Sequence, residues 1–330
     1  MRKKASLKDI ANKANVSIAL VSYVLNGKNT KKINVETANR IKEIADELQY
    51  RPNQIAKSLK SNKTYTIGLI VADISNFFYS YIAGHIEEEA NNRGYNVLFG
   101  SAYEDPKRFK KLLQVMIDRQ VDGLILAIPE GADDCFDDII DSGISYVLID
   151  REFPFCGSLK TVCLDNYNAS SLVAEKLKSL NCTSVAGIAL QSNLYHLKER
   201  TRGFVETSNL FFGEQNVQMY RVIEDQLAES VSTIVKDILA QKSIDGLCCF
   251  TNKIAMEVLP QLLNKVEIPQ DMRIVCFDEV EAFRLFPHKL SVVKQPLYEM
   301  SKKAVELLFD DSKNDKVVHY LNATITDMNT

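Results

Sequence analysis

The sequence predicts a small all-α headpiece followed by an α/β body of two doubly wound parallel-sheet lobes. Three observations predict it. Residues 7–26 carry the pattern of two short helices around a tight turn. Charge is unevenly spread, with 14 Lys and Arg against 5 Asp and Glu in the first 63 residues and a net of -12 over the remainder. From Tyr65 onward, short apolar runs alternate with amphipathic helical stretches, the mark of a parallel sheet covered on both faces.

In the first stretch, Ile10, Ala11 and Ala14 fall on one face of a helix. Asn15 suits a left-handed turn position, and Val16 belongs inside the junction. Ser17 is an N-cap for a second helix that turns Val21, Val24 and Leu25 inward. Ile18, Ala19, Ser22 and Tyr23 are left on its outer face. This is helix-turn-helix logic, with the second helix offered to the major groove of DNA. Ser17, Ile18, Ala19, Ser22, Tyr23 and Asn26 are the candidate contacts. Taken alone the stretch also fits a buried helical hairpin, but the basic charge of the same segment favours a nucleic-acid partner.

Asn34 caps a third helix, whose stripe is Ala38, Ile41, Ile44, Ala45 and Leu48. Pro52 ends this headpiece at residue 50, because the residue before proline avoids the helical region. Residues 51–63 form a linker with a short helical stripe, Ile55, Ala56 and Leu59. Asn53 caps it, Leu59 is a wedge for the minor groove, and Lys60 is placed for phosphates or base edges. A plain polar linker is the alternative.

The body, 64–330, opens with strands at 65–72, 96–102, 123–128 and 146–150 and helices at 79–93, 106–119 and 132–142. Residues 161–164 lead into a helix at 166–180, and the pattern restarts. Strands follow at 185–190, 246–250 and 273–277, with helices at 202–209, 228–240, 252–263 and 296–309. One lobe takes about 64–164 and 294–320, the other about 165–293 and 321–330. Ligands of such sheets bind outside the carboxyl ends of the strands. The residues there are Asp73, Ser75, Phe78, Tyr79, Asp150, Arg151, Thr251, Asn252 and Asp278. Carboxylates, amides and rings together suit a polyhydroxylated ligand, although each acid alone also reads as a helix cap.

The same residues exclude other classes. No run approaches the ~20 apolar residues of a membrane span, and MRKK is not followed by the apolar stretch of a secretory signal. Seven cysteines without a CxxC pair fit reduced thiols in a cytoplasm. The four histidines lack metal-ligand spacing, and no catalytic set or phosphate loop suggests an enzyme or a cofactor. A solute-binding or sugar-processing protein that uses the cleft without DNA is the alternative from another class. The basic headpiece argues against it.

The segments LKDIANKANVS, VSYVLN, RPNQIAKSLK, TIGLIVADISNFFY, VLIDR, ERTRGF, FDE and VVKQP, in this order from about Leu7 to Leu308, resemble the lactose/galactose-repressor family of bacterial transcription regulators. The resemblance implies a helix-turn-helix headpiece, a hinge helix and a periplasmic-binding-protein-like core. It implies a cytoplasmic homodimer on near-palindromic double-stranded operator DNA, usually a repressor, and a small effector such as a sugar or sugar phosphate. It places Ile18, Ala19 and Tyr23 at base edges, Leu59 between base pairs, and Asp150, Arg200, Asp278 and Gln295 at the effector cleft. The chain departs from the family at Leu20 and Tyr23, at Phe77 after Asn76, at Ser171, where sugar-binding relatives often carry arginine, and at Thr251-Asn252. No leucine heptad follows Leu321, so the tetramer-forming tail of some relatives is not expected.

The hinge reading gives a direct test. Leu59→Ala should lower DNA affinity and reduce bending in a gel-shift phasing assay, while ligand binding stays intact. Unchanged bending would show that Leu59 is not a wedge.

Overall fold

The computed structural model describes residues 5–26, 33–50, 63–154, 159–241, 243–263, 272–310 and 317–328. Two compact units divide at residue 64.

The first unit is a three-helix headpiece, α1 (Leu7–Ala14), α2 (Ile18–Leu25) and α3 (Val35–Glu47). Local chemistry sets each end. Ser6 and Asp9 form a capping box on α1. Asn15 follows with φ 53°, and its backbone sends the chain through the turn in the left-handed region. Ser17 Oγ accepts from the Leu20 N–H at 3.2 Å, and Asn34 Oδ1 accepts from the Glu36 N–H at 2.8 Å. Ile10, Ala11, Ala14, Val21, Val24, Ile41, Ile44 and Ala45 form the core, with Val16, Leu20 and Leu25 half-buried against it. A cluster this small leaves little margin, so the caps matter to its stability.

The second unit contains two six-stranded sheets. The first is built from β1 (Thr66–Val71), β2 (Asn96–Ser101), β3 (Gly123–Leu126), β4 (Tyr146–Ile149), β5 (Lys160–Leu164) and β11 (Val317–Leu321). Its helices are α4 (Phe77–Asn92), α5 (Pro106–Asp118), α6 (Cys135–Asp141) and α11 (Leu297–Leu308). The second sheet has β6 (Val185–Leu190), β7 (Val217–Val222), β8 (Gly246–Cys249), β9 (Arg273–Phe277), β10 (Leu290–Lys294) and β12 (Thr324–Met328). It carries α7 (Asn166–Ser179), α8 (Tyr195–Phe212), α9 (Leu227–Gln241) and α10 (Asn252–Leu263).

The two sheets share one topology. The orders are β11-β5-β4-β3-β1-β2 and β12-β10-β9-β8-β6-β7. Every pairing is parallel except that of β12 with β10. Apolar clusters cover both faces of each sheet. That is why β1, β3, β6 and β8 read as continuous apolar runs. The chain crosses between lobes three times, after β5, after β10 and after β11. Two crossings touch, the Asp165 N–H donating to the Leu321 carbonyl at 2.8 Å.

Five strands, β5, β7, β10, β11 and β12, lack a matching expectation. Three of them are sheet edges with half-buried or exposed residues, so no apolar run marks them. α8 begins at Tyr195, seven residues before the expected start at Arg202. Its first two turns carry His196 and Arg200 on the buried side, which breaks the apolar stripe. α4 starts at Phe77 because Asn76 Oδ1 caps it, accepting from the Phe78 N–H at 3.0 Å.

Gly203 shows how tightly α7 and α8 pack. A Cβ there would run into the backbone carbonyl of Tyr167, which cannot move without displacing its helix. Gly203→Ala should cost about 1–3 kcal/mol and lower the core's melting temperature by several degrees. An unchanged midpoint in thermal unfolding would show that the helices separate freely.

Candidate functional site

On the headpiece, Ile18 is 47% and Tyr23 45% exposed, with Ser17 and Ala19 exposed beside them and Ser22 half-buried. Two isolated large apolar side chains on one short helix cost little in water, yet they give α2 a face suited to bases and thymine methyls. Ser17 and Asn26 also have structural work. Ser17 caps α2, and Asn26 Nδ2 donates to the Ser22 carbonyl at 2.7 Å. Leu20, one of the departures, packs half-buried toward the core instead of outward. Asn53, Leu59 and Lys60 lie outside the described residues.

In the core, the shared topology brings two carboxylates to equivalent places. Asp150 follows β4 and Asp278 follows β9, the same strand of each lobe. Both hold a left-handed backbone, φ 71° and 67°. Both donate the backbone N–H to the next strand, Asp150 to Val162 at 2.9 Å and Asp278 to Val293 at 3.0 Å. Between the lobes lies a cavity of about 310 Å³.

Each carboxylate is oriented by its own lobe. Tyr79 Oη donates to Asp150 Oδ2 at 2.7 Å and accepts from Arg151 Nε at 3.1 Å. Arg151 is held in turn by Glu104, through Nη1 at 2.9 Å and Nη2 at 2.5 Å, and by the Ile128 carbonyl at 3.1 Å. Gln295 Nε2 donates to Asp278 Oδ1 at 2.6 Å. Arg200 is buried near both acids. Its Nε and Nη2 donate to Asn166 Oδ1 at 3.0 and 2.7 Å, and its Nη1 to the Phe250 carbonyl at 2.7 Å. Its guanidinium lies 4.2 Å from the centroid of the Phe277 ring.

Burial dominates the electrostatics here. It pushes the Asp150 and Asp278 carboxyls above their ordinary range, although Arg151 and Arg200 pull them down. Burial also lowers the Arg200 guanidinium, against the pull of the two aspartates. His196, deep in the wall, is held well below the usual imidazole range by burial and by Arg151 and Arg200, so it is neutral.

Of the predicted cleft residues, Phe78, Tyr79, Asp150, Arg151, Arg200, Thr251, Asp278 and Gln295 line the cavity. Asp73, Ser75 and Asn252 do not. They belong to the joint between the lobes, where they serve other partners. Asp73 Oδ2 receives Lys253 Nζ at 3.1 Å, and Asp73 Oδ1 receives the Ser75 hydroxyl at 2.7 Å. Asn252 Nδ2 donates to Asn76 Oδ1 at 2.7 Å. Glu130 completes the joint from the first lobe, accepting from the Ser192 hydroxyl at 2.7 Å and the Asn193 N–H at 2.8 Å. Ser171 sits in helix packing instead, donating to the Tyr167 carbonyl at 3.1 Å.

Sequence reasoning missed Glu104, Glu130, His196 and Lys253. Glu104 and Glu130 follow β2 and β3, so extending the strand-end rule by a few residues would find both. His196 and Lys253 stand in the first turns of α8 and α10 and carry no such signal. Among the described residues, no three His, Cys, Asp or Glu are grouped as around a metal ion, and no helix is long and apolar enough to cross a membrane.

The two raised carboxyls have a measurable consequence. Between 3.8 and their higher folded values, the folded state binds more protons than the unfolded chain. Their contribution therefore favours folding as pH falls and is lost as pH rises through those values. Asp73, whose carboxyl Ser75 and Lys253 hold low against burial, works in the opposite sense. The double variant Asp150→Asn/Asp278→Asn should lose thermal stability more steeply than the parent on acidification from neutrality toward 3.8. Parallel melting-temperature profiles would show that the two acids are solvated.

Residues 6–53 match the family model for bacterial regulatory proteins of the lacI family, and residues 67–316 match a periplasmic binding protein domain. The HTH-type transcriptional regulator RegA of Clostridium saccharobutylicum is 29% identical over 309 residues, which span 92% of this chain and 91% of that protein. The Lac repressor dimer bound to operator and the anti-inducer ONPF superposes with a TM-score of 0.82 at 18% identity over 98% of each chain. The Cra transcriptional dual regulator of Pseudomonas putida, in complex with fructose 1-phosphate, gives a TM-score of 0.70 at 22% identity, over 81% of this chain and 99% of that one. These structures attest the fold, a core with its cleft between two like sheets. With both family models matched in order along one chain, a helix-turn-helix headpiece and then a two-lobed binding core, the protein belongs to the lacI family of bacterial regulatory proteins and is a DNA-binding transcription regulator.

Proposed function

We propose that this regulator represses transcription as a homodimer on a near-palindromic operator. A small polyhydroxylated effector, a sugar or sugar derivative, binds between the lobes and changes operator affinity. One observation carries the ligand reading: Asp150 and Asp278 stand at equivalent strand ends of the two lobes, in one cavity, beside the buried Arg200. Carboxylates accept from hydroxyl groups, and the arginine donates to them. A cavity of about 310 Å³ suits a small molecule. A ligand held by both acids favours one arrangement of the lobes, and it shifts the equilibrium only by its difference in affinity for the two arrangements.

The dimer reading has its own support on α4. Phe77 is 51% and Tyr81 45% exposed on one face of this helix. Gly84 lies on the same face, and a Cβ there would meet nothing within the chain. Glycine inside a helix costs about 1 kcal/mol relative to alanine. The cost has no internal reason, and close approach of a second copy supplies one. A single recognition helix reads only a half-site, which also favours two headpieces per operator.

Asp278→Ala tests the ligand reading. The variant should still fold, and in calorimetric titration it should lose affinity for the effector found by screening sugars and their derivatives. DNA binding should become indifferent to that effector. If the effector is an inducer, the variant keeps operator binding; if a co-repressor, it fails to bind the operator. Wild-type ligand affinity in Asp278→Ala would place the ligand elsewhere.

A further inference from the structure

The charge and hydrogen-bonding balance of the cleft narrows the ligand further, on the reading that this cleft is the ligand site. Six acidic and three basic described side chains line the cavity. The basic ones are largely answered within the protein. Arg151 is matched by Glu104 in a two-pronged pair. Lys253 Nζ bridges Asp73 at 3.1 Å and Glu224 at 2.7 Å. Arg200 is then left facing two aspartates, a trio with one uncompensated negative charge. Glu130 adds a second, since its partners, a serine hydroxyl and a backbone N–H, are neutral, and Asp225 a third.

Hydrogen-bonding capacity is skewed in the same direction. Gln295 is 7% exposed and its Oε1 is buried without a partner. Asp150 takes the Tyr79 hydroxyl on Oδ2, and its Oδ1 has no donor among the described residues. On the donor side stands Arg200, three of whose five N–H directions are already used. The wall asks for a ligand that donates more than it accepts and that brings positive charge.

We infer that the effector carries a protonated amine on a polyhydroxylated frame, as an amino sugar does, with the ammonium taken up by Asp150 and Asp278. An ammonium has three donors and no acceptor, the complement of this wall. Its charge offsets the excess left by Arg200 in a site where Coulomb forces are weakly screened. The burial that raises both carboxyls is then compensated when the ligand enters. A phosphate ester meets the opposite situation, because its charge repels the same carboxylates.

The test is a set of matched probes titrated into the full-length protein, read by calorimetry and thermal shift. Tris(hydroxymethyl)aminomethane and pentaerythritol form the first pair, differing by an ammonium in place of a hydroxymethyl group and carrying no stereochemistry. Glucosamine, galactosamine and mannosamine are then set against their parent hexoses and the hexose phosphate esters. In every pair that binds, the amine should be at least about tenfold tighter. Asp150→Asn and Asp278→Asn should each bring the ratio toward one, with melting curves showing that the variants are folded. Neutral sugars or phosphate esters that bind as well as the amines would overturn the inference and leave the cleft as the ligand site. Silence from every probe at millimolar concentration would overturn both.

Discussion

The core is organised around one buried guanidinium. Removing a charge from water costs several kcal/mol unless it is paired and hydrogen-bonded. Arg200 meets that demand with contributions from both lobes. Asn166 Oδ1, the Phe250 carbonyl and the Phe277 ring hold it from the second lobe. Asp278 comes from that lobe too, while Asp150 reaches the same field from the first. Asn166 is itself fixed, donating to the Leu164 carbonyl at 3.0 Å, at a point where the chain passes between lobes. The charge that could bind ligand oxygen is therefore tied to the crossing after β5 by a single intervening side chain. Movement of one lobe relative to the other alters how well Arg200 is compensated.

Duplication explains why the site can exist. Two sheets of one strand order point their carboxyl ends toward each other, so each post-strand turn in one lobe has a counterpart in the other. The left-handed aspartates after β4 and β9 are the clearest such pair. Their surroundings have diverged: Asp150 is held by a tyrosine and a neighbouring arginine, Asp278 by a glutamine. Equal placement with unequal support gives the cleft two acids that a ligand can tell apart.

How much of this could be read from the sequence depended on the range of the interaction. Asn15, Ser17 and Asn34 act on backbone groups within a few residues, and their roles follow from residue type and position. Buried parallel strands announce themselves as apolar runs because both faces are covered. β7, β11 and β12 do not, since an edge strand with a half-exposed face carries no such run. At the cleft, the strand-end rule reaches Asp150 and Asp278 because topology alone puts them there. It misplaces Asp73 and Asn252, whose partners Lys253 and Asn76 lie far away in the chain. His196 joins the wall only through the way α8 packs. Nothing near it in sequence says so.

The misplaced residues set the terms on which any ligand acts. Lys253 with Asp73, Asn252 with Asn76, and Glu130 with Ser192 and Asn193 join the lobes along the wall of the cavity. These contacts are polar and partly exposed, worth fractions of a kcal/mol to about 1 kcal/mol each. Together they hold this arrangement of the lobes by an amount comparable with the differential affinity of one small ligand. A much stronger joint would leave the ligand unable to change the balance, and a much weaker one would make the empty protein indifferent to lobe position. The pairing of Lys253 with carboxylates on both sides of the joint, Asp73 and Glu224, keeps the cation satisfied by Glu224 when the lobes part. Parting of the lobes would therefore break a contact without stranding a buried charge.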